Sequence, residues 1–152
     1  MTADAEENLL KTQILHGGVL AIGEKGLLIL GDSGVGKSRL MLDILSDQKP
    51  PTAMLVADDR VTLSRQANQI IARPHPLIAG KLEIRGLGIR EFPFLEAVVL
   101  HAVIRLILEI PTRYPEDSDL STSILGVTLP FASFRTQAFS AQHLRAILPQ
   151  LG

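Results

Sequence analysis

The sequence predicts an α/β fold, a mixed β-sheet with flanking helices organised around a phosphate-binding loop. Three observations carry that expectation. The apolar run Leu27-Leu28-Ile29-Leu30 leads straight into Gly31-Asp32-Ser33-Gly34-Val35-Gly36-Lys37-Ser38, a strand followed by a complete glycine-rich loop. The next residues, Arg39 to Leu45, are good helix formers with apolar residues at helical spacing. Around this unit, short apolar runs alternate with Gly and Pro punctuation, without internal repeat or low-complexity tract.

Taken in order, Leu15 to Ile22 reads as a strand, and Gly23-Glu24-Lys25-Gly26 as a hairpin turn into the strand before the loop. The first two strands are therefore expected as antiparallel neighbours. Gln48-Lys49-Pro50-Pro51 stops the loop helix, and Met54-Leu55-Val56-Ala57 forms a short buried strand ending in Asp58-Asp59. Val61 to Ser64 and Gln69 to Ala72 make a small hairpin, which Arg73-Pro74-His75-Pro76 interrupts. Lys81 to Ile89 is a strand running into a glycine-punctuated loop, and Ala97 to Ile110 supplies core strands. Ile124 to Leu129 is strand-like and is expected to end at Pro130. Ser140 is a suitable N-cap for a closing helix through Leu148.

The 152 residues suit one domain, 1–152, with residues 1–12 expected to be flexible. A chain 46% hydrophobic and 20% charged is globular in composition, and a net charge of -1 with scattered Lys and Arg gives no electrostatic basis for a nucleic-acid partner. Without cysteine, disulfides and thiolate metal sites are excluded. The acidic N-terminus is unlike a secretory signal, and no apolar stretch approaches the ~20 residues of a membrane span. The expected location is the cytoplasm, with no membrane partner.

In such a loop the glycines let successive backbone N–H groups face inward as a nest for phosphate oxygens, at a helix N-terminus that favours anions. Lys37 reaches the outer phosphates and Ser38 can hold Mg²⁺. Asp58-Asp59 ends a buried strand, the usual way to deliver a carboxylate beside a nucleotide-bound cation. Asp is also common in solvated turns, and the phosphate loop is what favours the chemical reading. His75, between two prolines, and His101, in an apolar run, read as ordinary loop and strand histidines, and His143 as helix surface. Arg85 and Arg90 flank the glycine loop, where a phosphate contact and a salt bridge are equally reasonable.

His16-Gly17, Gly31 to Ser38, Val56-Ala57-Asp58-Asp59-Arg60-Val61 and Leu82-Glu83-Ile84-Arg85-Gly86-Leu87-Gly88-Ile89 occur in an order and spacing that resembles HPr kinase/phosphorylase. The resemblance runs from His16 to Arg135, and the last segment is its most diagnostic part. It implies a P-loop domain related to that of phosphoenolpyruvate carboxykinase. It also implies an enzyme that phosphorylates a serine of the phosphocarrier protein HPr with ATP or pyrophosphate, and reverses this by phosphorolysis. By the same resemblance Asp58 is the proton acceptor and donor, His16 lies beside it, Lys37 stabilises the transferred group, and Ser38 and Glu83 hold Mg²⁺.

Further along, Arg113 in Thr112-Arg113-Tyr114-Pro115 stands as the candidate catalytic arginine, and Pro130 to Arg135 as a loop used in dephosphorylation, with only Pro130 and Arg135 retained. The resemblance implies a catalytic-domain-only form and a homo-oligomer, hexamer or trimer, with Phe131, Phe134 and Phe139 near the docking loop. Arg39 departs from the family's glutamate. A small-molecule kinase of carboxykinase-like fold and a non-catalytic nucleotide sensor are the alternatives. A regulatory GTPase lacks its Asn-Lys-x-Asp element here.

Overall fold

A computed structural model describes residues 11–109, 113–138 and 140–150. Among these residues eleven strands form: β1 (Thr12–His16), β2 (Gly18–Ile22), β3 (Lys25–Leu30), β4 (Ala53–Ala57), β5 (Arg60–Gln66), β6 (Gln69–Pro74), β7 (Lys81–Ile84), β8 (Gly88–Glu91), β9 (Val98–Ile107), β10 (Ser121–Ile124) and β11 (Val127–Arg135). Among the described residues two α-helices accompany them, α1 (Lys37–Ser46) and α2 (Ala141–Ile147). Nine strands make one sheet in the order β1-β5-β6-β9-β3-β2-β4, with β11 also joined to β9 and β10 to β11, while β7 and β8 pair separately. The sheet is mostly antiparallel; β3 and β11 both run parallel to β9.

Period-two alternation explains why the centre of this sheet is apolar throughout. In β2, Val19 and Ala21 face one cluster, shared with Val61, Leu63 and Ile70 of the β5–β6 hairpin and with Ile124, Val127 and Leu129. Leu20 and Ile22 face the opposite cluster, with Leu27, Ile29 and Ile104 from the sheet and Leu40, Met41 and Ile44 from α1. Strands covered on both faces lose the polar half of their pattern, so β2 and β3 read as continuous apolar runs.

The expected strand from Leu15 to Ile22 is two strands. The chain breaks at Gly17, where it leaves β5, the neighbour of β1, and enters the central sheet between β3 and β4. Thr12, expected in a flexible leader, already pairs with Ser64; residues 1–10 lie outside the described ones. The β2–β3 hairpin, α1, β4 and the β5–β6 hairpin lie where expected, though β6 continues through Pro74. From Lys81 the strand β7 runs into the glycine turn as expected, but the chain then returns as β8, with Glu83 paired to Ile89. Ala97 to Ile110 contributes the single long strand β9 to Ile107; Ile110 falls outside the described residues.

Pro130 does not end a strand. The β10–β11 hairpin turns at Leu125-Gly126, and β11 runs through Pro130 to Arg135. Pro130 is the last residue paired with β10, opposite Ser121, and Phe131 the first paired with β9. A proline without N–H is tolerated at that change of partner, where the ladder is interrupted anyway. The expected Pro130 to Arg135 loop is therefore sheet.

The closing helix forms as expected. The Ser140 hydroxyl accepts the His143 backbone N–H, and Leu144 is fully buried in the cluster with α1. Arg145 fixes α2 to the far end of α1: its Nη1 donates to Pro51 O at 2.8 Å, its Nη2 to Asp47 O at 3.2 Å, and its Nε lies 2.7 Å from Asp47 Oδ2.

Candidate functional site

The loop after β3 folds tightly, with Val35 N–H donating to Asp32 O at 3.1 Å. Gly36, the N-cap of α1, has φ +104, and a Cβ there would come within 2.9 Å of the Thr136 methyl. No side chain caps this helix and its first turn holds no acidic residue, which leaves its N-terminal backbone amides to an anion. Lys37 is 9% exposed; its Nζ donates to Gly31 O at 2.6 Å and to Asp32 O at 3.2 Å, so the ammonium is held at the loop rim by the loop's own carbonyls.

On the sheet side, β4 brings Asp58 to the loop. Ser38 Oγ donates to Asp58 Oδ1 at 3.4 Å, and the Glu83 backbone N–H reaches Asp58 Oδ2 at 3.5 Å. The Asp58 carboxyl is pushed above its ordinary value of 3.8. Burial is the main cause; the Glu83 N–H opposes it, the neighbouring Asp59 charge adds to it, and the Ser38 hydroxyl opposes it. Asp59 adopts a left-handed φ of 70, a conformation Asp tolerates better than most residues. Its carbonyl accepts from Gly17 N at 3.2 Å and lies 3.0 Å from His16 Nδ1, while its Oδ1 is 3.2 Å from His16 Nε2.

These groups line one cleft of ≈ 800 Å³. Ser33, Gly34, Gly36, Lys37 and Ser38 come from the loop and the start of α1, Asp58 and Asp59 from the turn after β4, His16 from the end of β1, and Glu83, Ile84 and Arg85 from β7 and its turn. The structure thus brings together the residues from most of the segments singled out in the sequence. It places His16 in the same cleft as Asp58, with the contacts of the imidazole made to Asp59, whose backbone is left-handed. Leu82 is buried beneath it, whereas Leu87 and Ile89 are exposed and Gly86 and Gly88 form the left-handed turn of the hairpin. Arg39 and Leu42, i and i+3 on α1, also line the cleft. Their spacing was legible in the sequence, but which helix face met the cleft was not.

Arg113 and Arg135 are not among the lining residues. Arg113 Nη1 donates to Asp119 Oδ2 at 2.9 Å and to Tyr114 O at 3.2 Å, and Arg135 Nη2 donates to Gln137 Oε1 at 2.9 Å. Thr112 and Phe139 lie outside the described residues. Among the described residues no three His, Cys, Asp or Glu side chains gather in a metal-binding group, and no helix is long and apolar enough to cross a membrane.

A family model described as the HPr Serine kinase C-terminal domain matches residues 7–121. HPr kinase/phosphorylase of Malacoplasma penetrans is 34% identical over 137 residues, covering 82% of this chain and 44% of the relative. HPr kinase/phosphorylase of Mycoplasma mycoides subsp. mycoides SC is 40% identical over 74 residues, 49% of this chain and 22% of the relative. The chain spans less than half the length of these two relatives. The solved structure of the Hpr(Ser) kinase/phosphatase from Coxiella burnetii matches with TM-score 0.76 and 26% identity, covering 91% of this chain and 97% of that one.

Proposed function

The chain belongs to the HPr serine kinase C-terminal domain family, and we propose that it transfers the terminal phosphoryl group of ATP to a serine of the phosphocarrier protein HPr and removes it again by phosphorolysis. One observation carries the reading: a partly buried carboxyl of raised pKa, Asp58, faces the same cleft as the phosphate-loop lysine and serine. Curated relatives bear the name HPr kinase/phosphorylase, which supports HPr as the acceptor.

In the forward direction Asp58 accepts the serine proton as the serine oxygen bonds to the γ-phosphorus and the bond from that phosphorus to the β–γ bridging oxygen breaks, releasing ADP. In reverse, an oxygen of inorganic phosphate attacks the phosphoserine phosphorus, the serine–phosphorus bond breaks, and protonated Asp58 returns its proton to the serine oxygen; pyrophosphate leaves. A carboxyl whose charged form is disfavoured by burial gives up less free energy in holding that proton than a solvated one. Lys37 offsets charge on the transferred group. Pyrophosphate can replace ATP as donor, since the loop recognises phosphates.

The donor chemistry fits Mg²⁺: Ser38 Oγ and the Glu83 carboxylate are hard oxygen ligands in the cleft, and a cation bound with few protein ligands and completed by substrate phosphates requires no larger acidic group. Such an ion would offset the polyphosphate charge. Asp59, with His16 on its carboxylate, positions the turn that presents Asp58. Arg113, ahead of the 3-10 turn at Asp117–Leu120 and bonded to its Asp119, and Arg135 at the end of β11 are proposed to act on bound substrate. The family resemblance supports a cytoplasmic homo-oligomer, hexamer or trimer; a monomeric mass in light scattering would contradict the assembly.

The test is purified protein with labelled ATP, Mg²⁺ and HPr, beside a panel of small hydroxyl acceptors. Label on an HPr serine, released as pyrophosphate on adding phosphate, is the expected result. Label on a small acceptor alone would replace the protein acceptor, and ATP binding without transfer would make the chain a sensor.

A further inference from the structure

Two arginines in the cleft have no role in the chemistry above. Arg39 stands in the first turn of α1, just after Ser38, and Arg85 opens the turn after β7; α1 packs against β7, and both residues line the cleft with Leu42 and Ile84. Among the described residues neither guanidinium makes a hydrogen bond or an ion pair. Lys37, by contrast, is engaged by the loop carbonyls. Two planar cations beside apolar side chains, neither satisfied among the described residues, make a recognition surface for an anion.

The proposed reverse reaction supplies a reason for them, and the argument rests on that reading. Phosphorolysis brings two phosphate groups into one cleft, inorganic phosphate and phosphoserine, beside the carboxylates of Asp58, Asp59 and Glu83. The loop amides, Lys37 and Ser38 are taken up by the phosphates the loop itself cradles, which leaves the phosphate on the acceptor side to other cations. We infer that Arg39, with Arg85 across from it, binds the acceptor-side phosphate, so that Arg39 sets affinity for the phosphorylated acceptor and not for the nucleotide. Leu42 and Ile84 would meet the apolar stem that carries the phosphate. In the forward direction the same cation holds the phosphoserine product, so its removal hastens product release.

The test is steady-state kinetics of Arg39→Ala, Arg39→Lys and Arg39→Glu in both directions, with serine-phosphorylated HPr as the reverse substrate. Arg39→Ala raises the KM for phosphorylated HPr roughly tenfold or more, the usual loss for one charge-assisted contact, while the KM values for ATP and inorganic phosphate hold. Arg39→Lys recovers part of the loss and Arg39→Glu deepens it. An unchanged KM for phosphorylated HPr, or an equal loss for ATP, overturns the assignment.

A second arm needs no turnover. With the loop filled by ADP and Mg²⁺, inorganic phosphate is titrated and followed by phosphorus NMR; the wild type binds it and Arg39→Ala does not. If the wild type fails to act on HPr but shows this Arg39-dependent phosphate, the proposed acceptor is wrong and the anion site stands. If binding is the same in both proteins, the anion site falls whatever the acceptor.

Discussion

Replacing Asp58 by Asn should lower activity and raise stability at the same time, and that opposition of sign separates a chemical role from damage to the fold. The variant loses a carboxylate in contact with Ser38 Oγ at 3.4 Å and Glu83 N at 3.5 Å, both near the outer limit of hydrogen bonding, so little bonding energy is lost. What changes is the proton. A positioned general base contributes about 10²–10⁴ in rate, or ~2.7–5.4 kcal/mol of barrier, and both directions should fall by that order.

Stability moves the other way. The carboxyl titrates at 3.8 when unfolded and above that in the fold, chiefly because burial penalises its charge. Between those values the native state binds more protons, so wild-type stability falls as pH rises from 3.8 through the native pKa. The Asp58→Asn variant escapes that fall. Its melting temperature should match the wild type below pH 3.8, exceed it as pH rises through the window, and stay higher at neutral pH, measured without nucleotide or metal. The assay pairs HPr phosphorylation and pyrophosphate release with thermal melts across pH. A variant less stable than wild type at neutral pH, or one catalysing either direction at the wild-type rate, would refute the reasoning.

Lys37→Ala should lower kcat about 10²–10³-fold, as removal of one preorganised charge contact does, and should also weaken nucleotide binding, because Gly31 O and Asp32 O lose their shared donor; equilibrium nucleotide titration beside the kinase assay checks both. Gly36→Ala places a Cβ 2.9 Å from the Thr136 methyl at φ +104, which should cost about 1–3 kcal/mol and nucleotide affinity, read by denaturant unfolding and binding. Leu144→Ala empties a fully buried position against α1 and should cost about 2–5 kcal/mol in denaturant unfolding.

What the sequence revealed and what it hid divide along the range of the interactions. The phosphate loop, α1, β4 and the Ser140-capped helix are set by residues a few positions apart, and each lies where its local pattern puts it. The break at Gly17 and the passage of β11 through Pro130 are decided by which strand lies alongside, and the neighbours of β1 and β2 are β5 and β3, remote from one another in sequence. Strand β8 is not legible in the sequence because its residues are all exposed, so no apolar alternation marks Gly88 to Glu91. In the cleft, spacing placed Asp58 near Ser38, but the partner of His16 depended on a left-handed residue at Asp59, a backbone choice that an Asp-Asp pair does not announce. Arg113 was singled out by its neighbours in the chain; its contact with Asp119 arises from the 3-10 turn at Asp117–Leu120.

The parallel pairing of β3 with β9 also sets the order in which the protein can become competent during synthesis. The motif that binds phosphate is made early, at residues 31–38, on the end of a strand whose other long neighbour, residues 98–107, emerges some two-thirds of the way along the chain. Until then one side of β3 lacks its ladder, and Gly31 lacks the close backing of Leu106 O. Thr136 and Arg145, which touch the two ends of α1, come later still. A nascent chain carrying the complete motif therefore still lacks the contacts that hold the loop in shape. Contacts of such long sequence separation form slowly because loop closure must precede them, and a nucleotide captured at the end would report that the whole sheet has closed.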